Sequence, residues 1–93
     1  MESDGSRYIN FAGVGQGEWK ANGDTLEALD YAGDGYGIEA HLSTGRVAST
    51  RGKPAEAIVD VTGNLPEGKY YKLWVCVVKG SYEYCSGKVD VHA

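Results

Sequence analysis

The feature that most constrains the fold is a turn signal near the C-terminus with a cysteine on either side of it. Gly80-Ser81 has glycine first, as a type II′ hairpin turn requires, and it lies midway between the two cysteines, Cys76 and Cys85. A two-residue turn there places Cys76 opposite Cys85 in a non-hydrogen-bonded pair, whose Cα atoms are about 4.5 Å apart. A disulfide accepts that separation. The sequence therefore predicts a β-hairpin closed by a Cys76–Cys85 disulfide.

The same register creates a conflict further from the turn. Alternation places three apolar residues of strand 70–78 on one face, namely Leu73, Val75 and Val77. A regular ladder then directs Val89 and Val91 to the other face. An extra residue in the last strand restores a common face, and glycine is a residue that bulges favour. We therefore expect a one-residue bulge near Ser86-Gly87. The alternative is that the face of strand 70–78 that carries Trp74 and Cys76 points toward the core.

The composition is typical of an all-β chain. A length of 93 residues corresponds to one domain, and an apolar content of 42% is sufficient for a packed core. The 14 glycines separate short runs rich in Val, Tyr and Thr. We predict an immunoglobulin-like antiparallel β-sandwich of about seven strands over residues 7–93, preceded by a disordered tail at residues 1–6.

Six further segments have strand-type alternation or composition. They are residues 7–11, 17–20, 24–31, 36–42, 46–50 and 57–62. Segment 36–42 alternates most clearly, with Ile38 toward the core and His41 toward solvent. Segment 24–31 is ambiguous because its leucines are three residues apart, as in a helix, and the strand interpretation is preferred. The glycine-rich segment 13–17 is expected to be a flexible turn.

Catalytic residue types are present, but they do not form a recognisable catalytic pattern. His41 lies two residues from Glu39 and two from Ser43 on an open strand face, without a nucleophile elbow or a visible oxyanion donor. The other histidine, His92, is the penultimate residue. The sequence therefore predicts no catalytic residues and a protein that is not an enzyme.

Metal-ligating residues are equally sparse. Two distant histidines and two paired cysteines leave no tetrahedral ligand set. Asp30 and Asp34 match two positions of a calcium loop, but Ala32 and His41 occupy positions that need an oxygen ligand. An Asp-Gly turn explains the same residues. No metal or cofactor is predicted, and calcium binding by Asp30 and Asp34 is left open.

Charge and aromatic content indicate the class of partner. A net charge of −4 disfavours nucleic acid, and the absence of a run of about 18 apolar residues excludes membrane insertion. Seven tyrosines and two tryptophans exceed what a core of this size needs, which predicts a surface for another secreted protein, with carbohydrate as a second option. The candidate contact residues are Trp74, Tyr82, Tyr84, Arg46, Arg51 and Lys53. The alternative function is a small secreted inhibitor of a protease or other hydrolase that presents Arg51-Gly-Lys53 as a bait loop.

The cysteines also indicate a compartment. A disulfide at hairpin spacing is typical of an oxidising environment, so we expect a secreted protein. Residues 1–6 are polar and acidic and do not form a signal peptide. We therefore expect the chain to be the mature form.

Two resemblances add to this interpretation. The segment Leu65-Pro-Glu-Gly-Lys-Tyr-Tyr71 resembles the tyrosine corner of fibronectin-type and immunoglobulin-like sandwiches, in which a leucine fills the core and a tyrosine starts the penultimate strand. The resemblance covers about the last 30 residues. It implies that Leu65 and Tyr71 are structural, with the Tyr71 hydroxyl bonded to the backbone near Leu65.

The second resemblance is broader and extends over most of residues 7–93. Gly-Glu-Trp-Lys, Asn-Gly-Asp-Thr, Asp-Gly-Tyr-Gly-Ile-Glu-Ala and Pro-Glu-Gly-Lys-Tyr-Tyr-Lys-Leu-Trp-Val-Cys together resemble small secreted proteins of filamentous, Streptomyces-type actinobacteria. Those proteins commonly carry a further disulfide with a cysteine near the position of Leu29, which is apolar here. Some small secreted proteins of these bacteria are adaptor subunits of large antibacterial toxin particles. The resemblance therefore implies an adaptor role in a larger extracellular assembly.

Overall fold

The protein is an all-β sandwich of two antiparallel sheets. The computed structural model describes residues 6–21, 23–31, 36–51, 53, 56–66 and 68–92, which form nine strands. These are β1 (Arg7–Phe11), β2 (Gly15–Lys20), β3 (Thr25–Asp30), β4 (Gly37–Leu42), β5 (Val47–Ser49), β6 (Ala57–Thr62), β7 (Tyr70–Lys79), β8 (Tyr82–Cys85) and β9 (Val89–His92). The all-β prediction is confirmed. The immunoglobulin-like topology stays a prediction, and so does the disordered tail, of which residues 1–5 lie outside the described residues.

The strands are divided between a four-stranded and a five-stranded sheet. The first sheet has the order β1-β2-β3-β6. The second has the order β5-β4-β7, and both β8 and β9 pair with the remaining side of β7. The strand number exceeds the expected seven or so partly because the last segment of the chain is divided into β8 and β9. No helix in the described part of the chain has the length and apolar character that crossing a membrane requires.

The C-terminal hairpin has the predicted register. Cys76 is opposite Cys85 and Lys79 is opposite Tyr82, and a disulfide joins the two cysteines across a Cα–Cα distance of 3.9 Å. Gly80 has a φ of 58°, whereas Ser81 is not among the residues with positive φ. A positive φ at the first central position only is the signature of a type II′ turn. The predicted turn and disulfide are both confirmed.

The predicted bulge is also present. Three residue steps along β7, from 73 to 76, correspond to four steps along its partner, from 85 to 89. At the extra residue, the Ser86 N–H donates to the Val75 carbonyl (2.8 Å), and the Ser86 Oγ accepts from the Val75 N–H (3.1 Å). The serine side chain thus replaces a backbone acceptor where the ladder is interrupted. As a result Val91 returns to the inner face and is 1% exposed.

The core lies between the sheets and takes its residues from alternate positions of the strands. Its buried members are Trp19, Leu26, Ala28, Ile38, Ala40, Leu42, Ala48, Leu73, Val75, Val77 and Val91. The strand interpretation of segment 24–31 and the inward face of strand 70–78 are therefore confirmed. The Trp19 indole N–H donates to the His92 carbonyl (3.1 Å), which satisfies the one polar group of this buried ring. Leu65 and Tyr71 pack against the rim of the core, and the hydroxyl contact of the tyrosine corner stays a prediction.

Two glycines set the distance between the sheets. Gly15 and Gly17 are buried on the inward face of β2. A Cβ added at Gly17 would lie 2.5 Å from Val75 Cγ2, and one at Gly15 would lie 2.5 Å from Ile38 Cγ1. The expectation of a flexible turn over residues 13–17 is therefore wrong for Gly15, whereas Gly17 lies in a strand, as the predicted segment 17–20 has it. Gly13, with φ 79°, does lie in the turn between β1 and β2. Residues without side chains at the inward positions of β2 allow the facing strands to approach closely.

Candidate functional site

Four aromatic residues come together where the edges of the two sheets meet. We define the aromatic patch as Phe11, Tyr36, Tyr82 and Tyr84. Tyr84 is opposite Val77 and Tyr82 is opposite Lys79, so both tyrosine rings project toward the inner side of the second sheet. Because β8 is the last strand of its sheet, these rings are not covered and remain 53% (Tyr82) and 58% (Tyr84) exposed.

Contacts within the aromatic patch hold its rings in place. Tyr84 makes an edge-to-face contact with Phe11, and Tyr82 makes one with Tyr36, each with centroids 6.0 Å apart. The Lys79 ammonium lies 4.8 Å from the centre of the Tyr36 ring. Each aromatic pair of this kind is worth roughly 0.5–1.5 kcal/mol. Two of the six predicted contact residues, Tyr82 and Tyr84, therefore form a surface that is exposed and already ordered.

Trp74, another predicted contact residue, is not part of this surface. It is half-buried on the outer face of the second sheet, where the His41 ring stacks on it at 5.3 Å with an interplanar angle of 4°. The Lys88 ammonium lies 4.6 Å from the ring centre. His41 and Lys88 approach from opposite sides of β7, since β4 pairs with one side of β7 and Lys88 directly precedes β9, which pairs with the other side. The Trp74 ring is therefore already in contact with His41 and Lys88 of the same chain.

The environment of His41 also differs from the expected one. Its outward direction is confirmed, but its side chain is only 22% exposed, so the expectation of a solvated ring is wrong. Stacking on Trp74 covers it. Nε2 lies 3.4 Å from Glu39 Oε1, and it is a buried atom without a hydrogen-bond partner among the described residues.

The predicted cationic contact residues have mainly internal partners. Arg46 donates to the carbonyls of Asp24 (2.7 Å) and Gly63 (3.1 Å), which connects three loops of the structure. Arg51 donates to Glu39 Oε2 (3.2 Å) and to the Gly80 carbonyl (2.8 Å), so it lies beside the turn that leads to Tyr82. Lys53 is exposed, and its neighbours 52, 54 and 55 lie outside the described residues. The cations therefore do not gather into one basic site.

The Glu39 carboxylate accepts hydrogen bonds from Ser49 and Arg51 on the outer face of the second sheet. Burial opposes its ionisation, but hydrogen bonds from Arg51 and Ser49 and the charge of Arg51 outweigh burial, so the pKa of Glu39 lies below its ordinary value. A lowered pKa means that the network stabilises the fold when Glu39 is ionised, and that this contribution is lost as pH falls through the lowered pKa. The ion pair between Arg51 and Glu39 thus contributes to the stability of the fold, whether or not Arg51 also contacts a partner.

One group of potential metal ligands lies over the disulfide. Ligand atoms of His41, Cys76 and Glu83 are all within 4.8 Å of one another. In the oxidised protein the Cys76 sulfur is bonded to Cys85 and is not a thiolate, which is the form that binds metals. The predicted calcium ligands are elsewhere. Asp30 is 3% exposed on the inward face of β3, and Asp34 lies outside the described residues, so the question of calcium binding by these two residues stays open, as the sequence left it.

A row of carboxylates, which was not predicted from the sequence, crosses the outer face of the first sheet. Glu18 is opposite Glu27, and Glu27 is opposite Asp60, so three neighbouring strands each contribute an acid. Lys20 donates to Glu27 at 3.2 Å. Burial and a hydrogen bond with Asp60 together raise the pKa of Glu27 above its ordinary value. Finding this row requires the register of β2, β3 and β6, which no local motif encodes.

Replacing Asp60 with Asn is expected to stabilise the protein at neutral pH by about 0.5 kcal/mol. Like charges opposite each other destabilise a sheet, and the effect stays small because Asp60 is exposed and solvent screens its charge. The raised pKa of Glu27 means that the folded state binds a proton more tightly, so its contribution to stability falls as pH rises through that pKa. The free energy of unfolding would be measured in urea at about pH 5 and about pH 7. Its decrease between the two pH values should be smaller for Asp60→Asn than for wild type.

Asp90 is the control for this prediction, because its carboxylate faces a positive charge and not other acids. Lys72 lowers the pKa of the exposed Asp90 through a hydrogen bond and its charge, so Asp90→Asn should not increase stability at neutral pH. A less stable Asp60→Asn protein at neutral pH would contradict the repulsion argument.

Comparison with known proteins yields no relative from which function could be transferred. No protein-family model matches the chain, and neither a curated protein nor a solved structure matches it.

Proposed function

We propose that the protein is a secreted, non-enzymatic binding module that holds another secreted protein against its aromatic patch. The observation that carries this proposal is the pair of exposed tyrosines, Tyr82 and Tyr84, each held by an edge-to-face contact. Tyrosine supplies a large contact area with few rotatable bonds, and rings that are already ordered lose little entropy on binding. Such residues dominate the energetics of many protein interfaces.

The strand that carries these rings favours a polypeptide partner over carbohydrate. All four residues of β8 are exposed, and β7 is its hydrogen-bonded neighbour in the sheet. An edge strand presents unpaired backbone N–H and C=O groups, to which an extended peptide can add as a further strand. A protein partner can therefore use both the rings and the backbone of β8.

The proposed setting is extracellular. The Cys76–Cys85 disulfide supports secretion, because disulfides persist in oxidising compartments. The resemblance to small secreted actinobacterial proteins supports a more specific role, that of an adaptor subunit in a larger, toxin-type assembly. A small module with an ordered contact surface is suited to such a role.

The inhibitor alternative has no comparable support. A bait loop must project its basic side chain into the specificity pocket of a protease, whereas the Arg51 guanidinium donates to Glu39 and to the Gly80 carbonyl. Lys53 is exposed, but part of its loop lies outside the described residues. Inhibition of a hydrolase stays a prediction.

The test compares the tyrosine pair of the aromatic patch with one exposed tyrosine elsewhere on the protein. The immobilised protein should capture a secreted partner from the culture supernatant of its source, and the double variant Tyr82→Ser/Tyr84→Ser should bind that partner at least about tenfold more weakly. Tyr70→Ser is the matched control, because Tyr70 is 72% exposed and contacts His92 at the other end of β7. Affinities would be measured by surface plasmon resonance.

Three outcomes would contradict the proposal. They are a protein that captures no partner, a double variant that binds as well as wild type, and equal losses in the double variant and Tyr70→Ser. Retention on a polysaccharide that the double variant abolishes would assign the aromatic patch to carbohydrate instead. Thermal unfolding of each variant establishes that a loss of binding is not a loss of fold.

A further inference from the structure

The disulfide occupies the centre of a set of ligand residues contributed by three strands. On the outer face of the second sheet, Cys76 is opposite Glu39 on one side and Cys85 on the other. His41 occupies the next outward position of β4, and Glu83 occupies the next outward position of β8 on the other side of the cysteine row. Their ligand atoms and the Cys76 sulfur nevertheless converge to within 4.8 Å of one another.

Two neighbours fix the position of the His41 ring. Its ring stacks on Trp74, and Glu39 Oε1 lies 3.4 Å from its Nε2. Nε2 is buried and makes no hydrogen bond to the described residues. A metal-bound histidine is usually supported by a carboxylate that accepts a hydrogen bond from its other ring nitrogen. Glu39 lies close enough to Nε2 for a small movement to form that hydrogen bond.

The two sulfurs of the disulfide differ in accessibility. Cys76 is 0% exposed, whereas Cys85 lies in an exposed strand at the sheet edge. An external thiolate therefore attacks the Cys85 sulfur, and the Cys76 sulfur leaves as a thiolate, since exchange takes place at the accessible sulfur. The thiolate is released beside His41 and Glu83.

We propose that reduction converts this disulfide into a zinc site with Cys76, Cys85, His41 and Glu83 as ligands. The reductant is a dithiol. Its first thiolate breaks the S–S bond and forms a mixed disulfide with Cys85, and its second thiolate displaces Cys85 and closes the reductant into its own disulfide. The two cysteines are thereby reduced to thiols. Zn²⁺ then binds both as thiolates, and their two protons pass to solvent.

The donor set selects zinc over the harder cations. Two thiolates, one imidazole and one carboxylate suit tetrahedral Zn²⁺, whereas calcium and magnesium prefer oxygen ligands alone. Bonds of about 2.0–2.3 Å place neighbouring tetrahedral ligands roughly 3.3–3.8 Å apart. The present separations among the ligand atoms of His41, Cys76 and Glu83, up to 4.8 Å, can close by a small side-chain movement, and Glu83 is exposed and able to make it. Cys85, which lies opposite Cys76 on the neighbouring strand, would complete the set once reduction has released its sulfur.

Cobalt titration tests the site directly. Co²⁺ would be added to the full chain after reduction with a phosphine, with Zn²⁺ as the competitor. Reduced wild type should bind one Co²⁺ per chain, with the visible bands of a tetrahedral complex and a thiolate-to-cobalt charge-transfer band, and one equivalent of Zn²⁺ should abolish both. The oxidised protein should give neither band. His41→Ala and Glu83→Gln should each weaken binding at least about tenfold, as loss of a ligand costs no less than loss of its support.

Matched controls distinguish these ligands from general metal binding. His92→Ala removes the other histidine and Glu18→Gln removes an acid of the opposite sheet, and neither should change the affinity. At equal Zn²⁺ concentration, the unfolding temperature of reduced wild type should also rise by more than that of reduced His41→Ala. A reduced chain that binds no Co²⁺, whether folded or unfolded, would overturn the proposal, and so would a His41→Ala variant with unchanged affinity and spectrum.

Discussion

Replacing Gly17 with valine is expected to cost the fold about 3 kcal/mol or more, the upper range for overpacking a core. A Cβ at this position would lie 2.5 Å from Val75 Cγ2 and 3.0 Å from the Ala40 Cβ, before the two methyl groups of valine are added. Val75 is fully buried and β-branched, so it cannot rotate away cheaply. The sheets must therefore move apart to accommodate the valine. Urea unfolding measures the resulting decrease in the free energy of unfolding.

A compensating variant and a control sharpen this prediction. Gly17→Ala combined with Val75→Ala removes the methyl groups in conflict, so the two changes together should cost less than the sum of the single changes, as expected for residues in contact. Gly87→Ala is the control, because a Cβ there meets nothing within 4 Å and Gly87 does not have a positive φ. A Gly17→Val protein as stable as Gly87→Ala would contradict the packing described here.

Reducing the disulfide is expected to lower the free energy of unfolding by about 2–3 kcal/mol. The two cysteines are separated by 9 residues in sequence, and closing a loop of that size removes a modest amount of entropy from the unfolded chain. For a domain of this length the midpoint of thermal unfolding should fall by roughly 10–20 °C. Differential scanning calorimetry with and without a phosphine reductant, in the absence of metal ions, measures the change.

The double variant Cys76→Ala/Cys85→Ala is the control for the reductant. It should have a lowered midpoint from the start, and the reductant should not move it further. An unchanged midpoint on reduction of wild type would mean that the turn and the sheet alone hold the hairpin.

Local sequence rules were sufficient for the C-terminal half of the fold. Gly80-Ser81 determines the turn type, the turn determines the partner of Cys76, and the twofold period of a strand shows that one residue must be inserted near Ser86. Each step depends on residues close together in the chain, so no knowledge of the other sheet was needed. The same rules placed Tyr82 and Tyr84 near the surface, although not their contacts with Tyr36 and Phe11.

The sequence by itself thus determined that the chain is all-β, where most strands lie, and which hairpin carries the disulfide. Only the tertiary structure decided that Gly15 and Gly17 are inward positions of β2, that Glu27 lies between two other acids, and that Trp74 is already in contact with His41 and Lys88. The physical reason is that turn geometry and alternation act over a few residues. The register between distant strands and the spacing of two sheets follow from burying all the inward faces at once.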